Sequence, residues 1–281
     1  MSNTLPSFVI IGAAKSGTTS LFNWLGSVPG CRVPKHKEPN FFSAANFKAD
    51  LGAYSRFFAD IEAGVATGEA SVSYTQLDLA STTAIRMAAL LPDVKLIYLM
   101  RHPLQRLRSH YRHQLQRGRE RRPPNIAFAD PSTLYVESSL YYSCIKPYLA
   151  LFKPQQLLFV RSEDLFAAED STAWSSVLSH LELPPVSRPS DRFNESRSKR
   201  QFSRPLLRVW EAGLDQSSAA RLVPKAVRRL AYKALSRSHG EYERWMKASD
   251  VSLIDSVVER QIWSDISLLE GRLGISFDWD R

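Results

Sequence analysis

Lys15, Ser16, Thr18, Thr19 and Ser20 lie in one short run, GAAKSGTTS, that Gly12 opens and Gly17 interrupts. One ammonium, several hydroxyls and a string of backbone N–H groups in a tight turn form a cradle for an anion such as phosphate or sulfate. Such a cradle works only if rigid elements hold it on both sides. Phe8, Val9, Ile10 and Ile11 supply a buried-strand pattern before it, and Leu21, Phe22, Trp24 and Leu25 recur at helical spacing after it. The anion would therefore meet the positive end of a helix. The common nucleoside triphosphate loop, G-x-x-x-x-G-K-[ST], puts its lysine after the second glycine. Here Lys15 precedes Gly17 and position 18 is a threonine, so an ordinary kinase or NTPase loop fits poorly.

A second cationic point follows another apolar run. Lys95–Met100 (KLIYLM) predicts a buried strand leading straight into Arg101, His102 and Pro103, with Arg106, Arg108, Ser109 and Tyr111 beyond. Arg101 then sits at the carboxyl end of a strand, where open α/β sheets bind ligands, and Pro103 suits the first turn of a helix carrying Ser109. A guanidinium fork matches phosphate oxygens better than a lysine point charge does. For moving a proton, the segment Pro34–Phe42 offers His36 and Glu38. An imidazole titrates near neutrality, whereas a carboxylate beside Phe41 and Phe42 can be desolvated and raised, with Lys35 and Lys37 acting in the opposite sense. On residue types alone both stay open.

The order of these elements resembles the sulfotransferases that use 3′-phosphoadenosine 5′-phosphosulfate (PAPS) and release 3′,5′-adenosine bisphosphate (PAP). Residues 8–21 are similar to the family's 5′-phosphosulfate loop, and Arg101 to Tyr111 to its 3′-phosphate element R-[DHN]-P-x-x-R-x-x-S-x-Y. Lys35 to Phe42 contains K-E-P-N-F-F, like the K-E-x-x-F-F element of bacterial and heparan sulfate sulfotransferases. The resemblance implies that Lys15, Ser16, Gly17, Thr18, Thr19 and Ser20 hold the phosphosulfate, with Lys15 also neutralising the leaving phosphate. It implies that Arg101 and Ser109 hold the 3′-phosphate, and that Glu38 is the general base, leaving His36 to contact the acceptor. Gly68 to Tyr74 resembles G-E-x-S-P-x-Y with Val72 in the proline position, which puts Glu69 and Ser71 at the donor or acceptor pocket; capping a helix or bridging to a lysine is the other reading of Glu69. Lys199 and Arg200 stand near the place of the family's last basic loop, without its K-G pair. Residues 139–165 fit the family's helix and strand order as structural residues, and Leu268 to Trp279 its closing helix.

The remaining chain bounds this picture. Apolar runs at 8–12, 95–100 and 157–160, separated by helix-like stretches, predict an α/β fold: a central parallel sheet of P-loop NTPase type flanked by helices, with a helical C-terminal region. The 281 residues are expected to form a single sulfotransferase domain. Cys31 and Cys144 are too few for a disulfide framework or a zinc site, and no metal is demanded. The net charge of +9 favours an anionic ligand, partner or surface. Residues 101–122 hold eight arginines, of which the stretch Arg117–Arg122 is expected to be a solvated, mobile linker. At about 205–245, Val223, Val227, Leu230 and Ala231 alternate with basic residues as in an amphipathic helix on the acceptor side. Absence of a signal-like or membrane-spanning apolar run predicts a soluble, cytoplasmic protein, with peripheral membrane contact left open.

The resemblance thus implies sulfuryl transfer from PAPS to a hydroxyl or an amine of a small-molecule or glycan acceptor. Its competitors are a nucleotide kinase or NTPase with an atypical loop and a basic polyanion-binding module; a nucleic-acid partner is not expected. Acceptor identity and oligomeric state are not encoded legibly.

Overall fold

The computed structural model describes residues 5–59, 65–117, 119–169, 171–190, 245 and 248–280. Lys199, Arg200 and almost all of the basic segment at 205–245 lie outside them.

Five parallel strands form one sheet in the order β2-β3-β1-β4-β5: β1 Phe8–Gly12, β2 Cys31–Arg32, β3 Ala66–Ala70, β4 Lys95–Met100 and β5 Leu157–Arg161. All five residues of β1 are buried, because a central parallel strand is covered on both faces. Its side chains alternate between two cores. Phe8 and Ile10 join Ile97, Leu99 and Val160 under α1 (Thr18–Leu25), α8 (Ser162–Ala167) and α9 (Thr172–His180). Val9 and Ile11 join Leu96, Tyr98 and Met100 on the other side. That face is covered by α2 (Leu51–Ser55), α3 (Ala80–Leu90), α4 (Pro103–Gln116), α5 (Pro124–Ala127), α6 (Leu134–Glu137), α7 (Tyr141–Leu151) and α10 (Ser256–Leu273). Each fully buried aliphatic chain contributes about 2 kcal/mol, so the apolar runs decide where the sheet sits.

β3 carries no such run. Its sequence, ATGEA, reads as a loop, yet the strand is buried because its small residues leave room for neighbours. A Cβ on Gly68 would lie 2.2 Å from the ring of Phe8, so the strand accepts only glycine there. Pro103 occupies the first turn of α4 as expected, and Asp255 caps α10 by accepting from the Val257 N–H at 2.8 Å.

The stretch 117–122 differs from the expected solvated linker. Glu120 is buried and accepts from the Arg122 guanidinium (2.9 Å) and the Tyr135 hydroxyl (2.8 Å), while Arg122 also pairs with Asp130 (2.9 Å). Charge pairing with an acid inside the run anchors what a count of arginines alone suggests is solvated. No helix among the described residues is long and apolar enough to cross a membrane.

Candidate active site

Parallel strands send every following turn to the same edge of the sheet. β1 and β4 are neighbours, with Gly12 opposite Tyr98, so the loop 13–17 and the turn at Arg101 open side by side. Two bonds tie them together. The Ala13 N–H donates to the Leu99 carbonyl at 2.7 Å, and the Arg106 guanidinium donates to the Ala14 carbonyl at 3.3 Å.

Inside the loop the backbone turns sharply, with Lys15 at φ 70° and Gly17 at φ 96°. A Cβ on Gly17 would meet the Phe166 ring at 2.7 Å, so conformation and space both call for glycine. α1 starts immediately afterwards with no side-chain cap at Gly17 among the described residues. Its first-turn amides therefore face the loop, as a bound anion would require. Ser16, Thr18 and Ser20 are buried beneath, while Lys15 and Thr19 are partly open. Lys15 faces α4: after burial itself, the charges of Arg106, His113 and Lys15 push His110 well below the usual imidazole range.

Arg101 is fixed through its backbone. The Tyr141 hydroxyl donates to the Arg101 carbonyl (2.7 Å) and accepts from its N–H (3.3 Å), while the guanidinium makes no hydrogen bond or ion pair with another described residue. Ser109 lies two turns into α4, half-buried. Arg106, three residues before Ser109, is fully enclosed. It donates to Ser139 Oγ (2.9 Å), to the Tyr135 carbonyl and to Ala14, and lies 3.2 Å from His110 Nδ1. Ser139 and Tyr141, expected to be structural, thus hold the two arginines of the edge. Arg106 belongs to the motif that begins at Arg101, yet nothing in its spacing announces that it reaches the other loop.

The proton-handling candidates sit across β1 on the β3 side. The Glu38 N–H donates to the Ala70 carbonyl at the end of β3 (3.1 Å), placing the 38–42 segment at the same edge. Glu38 is exposed and pairs with Lys37 at 2.6 Å; His36 is exposed. Glu38 and Asn40 hold φ of 66° and 52°. For a non-glycine residue such a conformation costs about 1–3 kcal/mol and persists only where the surroundings enforce it. Of five non-glycine residues with positive φ among those described, Lys15, Glu38 and Asn40 fall in these two loops.

Glu69 and Ser71 do not line an open pocket, because both are fully buried. Glu69 neither caps a helix nor makes an ion pair among the described residues. It accepts from the hydroxyls of Tyr54 (2.9 Å), Tyr74 (2.6 Å) and Ser71 (2.7 Å). Burial pushes its carboxyl up to about 7, against the pull of those hydrogen bonds and of the Lys37 charge. Tyr54 comes from outside every motif, so no spacing or pattern announces it. A cavity of about 690 Å³ lies at the opposite edge, lined by Ser7, Ala66, Lys95 and Leu183 among others, away from all these groups.

A family model described as a sulfotransferase domain matches residues 5–202. The chain belongs to the sulfotransferase family. Among its curated relatives, the chain is 28% identical over 144 residues to the membrane-associated sulfotransferase kil1 of Dictyostelium discoideum, covering 50% of this chain and 30% of that one. It is 30% identical over 172 residues to heparan sulfate glucosamine 3-O-sulfotransferase 3B1 of Mus musculus, covering 58% and 43%. The chain spans less than half the length of these two relatives. A crystal structure of a sulfotransferase from Alicyclobacillus acidocaldarius superposes with a TM-score of 0.59 at 26% identity, over 86% of this chain and 100% of that one. The chain therefore shares the α/β fold of that structure.

Proposed function

We propose that this chain transfers a sulfuryl group from PAPS to an acceptor hydroxyl or amine, with Glu38 as general base. The observation that carries the reading is the pairing of β1 with β4, which brings an anion loop and an arginine-bearing turn to one edge. PAPS would supply a sulfuryl group bound to a phosphate leaving group. Toward it, the amides of 15–18 and the hydroxyls of Ser16, Thr18, Thr19 and Ser20 offer donors. Lys15 offers a charge that counts most as negative charge develops on the leaving phosphate. Arg101 and Ser109 are assigned to the 3′-phosphate, with Lys199 and Arg200, outside the described residues, as further donors. Glu38, exposed at the same edge, takes the acceptor proton; His36, two residues away, contacts the acceptor.

Glycans are the acceptor class in view, since the heparan sulfate relatives name one and Arg117, Arg119 and Arg121 are exposed toward solvent. The test is a mass-spectrometric screen of candidate acceptors with PAPS, looking for a gain of one SO₃ group. Glu38→Gln and Lys15→Ala should each lower turnover by about 100-fold or more, with PAP affinity changed only a few-fold. Unchanged turnover in Glu38→Gln would remove the base assignment; magnesium-dependent ATP turnover without sulfuryl transfer would replace the whole reading.

A further inference from the structure

Glu69 is buried on β3, one residue before the Ala70 carbonyl that accepts from the Glu38 N–H, and its hydrogen bonds lead to the segment of the proposed base. Its Oε2 accepts from the Ser71 hydroxyl (2.7 Å), and Ser71 Oγ accepts from the Asn40 N–H (3.1 Å). With its proton committed to Glu69, the Ser71 oxygen can turn only lone pairs toward Asn40. Asn40 is two residues from Glu38, and both hold left-handed backbone angles that something must enforce. A second grip starts from the other oxygen. Oε1 accepts from Tyr54 and Tyr74, and the rings of those tyrosines pack on the aromatic pair that follows Asn40. Phe41 stacks on Tyr54 with centroids 4.4 Å apart, and Phe42 meets Tyr54 at 5.2 Å and Tyr74 at 5.7 Å.

From this geometry we infer that Glu69 is a positioning residue: through Ser71, Tyr54 and Tyr74 it fixes the segment Glu38–Phe42 and thereby the direction of the Glu38 carboxylate, without touching the acceptor itself. The inference deepens the reading of Glu38 as base and rests on it. The groups facing Glu69 are Tyr54 from α2, Ser71 and Tyr74 after β3, Lys37 from the base segment, and Tyr148 of α7, whose hydroxyl donates to the Tyr74 carbonyl at 2.7 Å. Lys37 is the cation in this set, and it is paired with Glu38 at 2.6 Å. A hydroxyl cluster around a carboxylate, beside a lysine already engaged by the base, holds a loop in place instead of forming a buried ion pair.

Hydrogen–deuterium exchange on the full chain tests this without knowledge of the acceptor. In Ser71→Ala the Asn40 amide should exchange at least tenfold faster, and in Glu69→Leu, which removes the acceptor of the Ser71 proton, at least threefold faster. The double variant should be no faster than Ser71→Ala, since both changes act through one chain of bonds. Amides of β1 and the affinity for PAP should stay within twofold. Unaltered exchange at Asn40 in Glu69→Leu would overturn the inference, and so would equal acceleration across β1, which would mark Glu69 as a general core residue. Because Glu38 as base is read from turnover and Glu69 from exchange, failure of one is distinguishable from failure of the other.

Discussion

The Arg106 guanidinium reaches from α4 to the carbonyl of Ala14, so the helix following β4 holds the loop following β1. Arg106 is fully buried and burial lowers its pKa, against the neighbouring tyrosines. Such a group persists in the interior only with its donors satisfied. Replacing it by leucine fills the space and leaves Ser139, the Tyr135 carbonyl and the Ala14 carbonyl without their donor. Arg106→Leu should lower unfolding stability by about 3 kcal/mol and weaken PAP binding at least tenfold. Urea titration and calorimetry on the same preparation check both.

Gly17 offers a sharper test of the loop. Its φ of 96° and the Phe166 ring 2.7 Å from a Cβ act together against any side chain. Gly17→Ala should cost about 1–3 kcal/mol and reduce PAP affinity, and Phe166→Ala in the same chain should recover the steric part only. Full recovery would mean that backbone conformation is not a constraint there.

Two carboxyls predict opposite dependences on pH. Glu69, pushed up to about 7 by burial, keeps its proton in the folded state where the unfolded chain has lost it. Its contribution is present at low pH and declines as pH rises from the ordinary carboxylate range through about 7. For Glu120, burial acts upward but hydrogen bonds from Arg122, Arg121 and Tyr135 outweigh it and hold the carboxyl at about 2. Its contribution is present above the ordinary range and is lost as pH falls through about 2. Relative to the parent, Glu69→Gln should gain on the order of 2 kcal/mol between about pH 5 and pH 8, whereas the deficit of Glu120→Gln should shrink toward about pH 3. Thermal unfolding across that range reads both signs.

Legibility in the sequence followed physical cause. β1 and β4 announce themselves because strands covered on both faces are continuous apolar runs, and β5, at the edge of the sheet with only Val160 buried, keeps an apolar run as well. β2 spans two residues and β3 is built from alanine, threonine, glycine and glutamate, so neither carries a period. Lys15 and Arg101 were legible from loop chemistry, and the sheet order brings their segments together. Arg106, Tyr54 and the burial of Glu69 were not, because each depends on contacts between segments far apart in the chain. For Glu120, the local excess of arginine hid an acid that folds the stretch onto Tyr135.

On the proposed reading, one nucleotide with phosphates at both ends spans the Lys15 loop and Arg101. Calorimetry with PAP and with 5′-AMP, on the parent and on Arg101→Ala, measures it directly. The parent should prefer PAP by about 30-fold, from charge-assisted bonds to the 3′-phosphate, and Arg101→Ala should reduce that preference to about threefold while leaving 5′-AMP affinity unchanged. A PAP preference that survives Arg101→Ala, or an equal loss of both ligands, would show that Arg101 does not hold the 3′-phosphate of a nucleotide seated on the Lys15 loop.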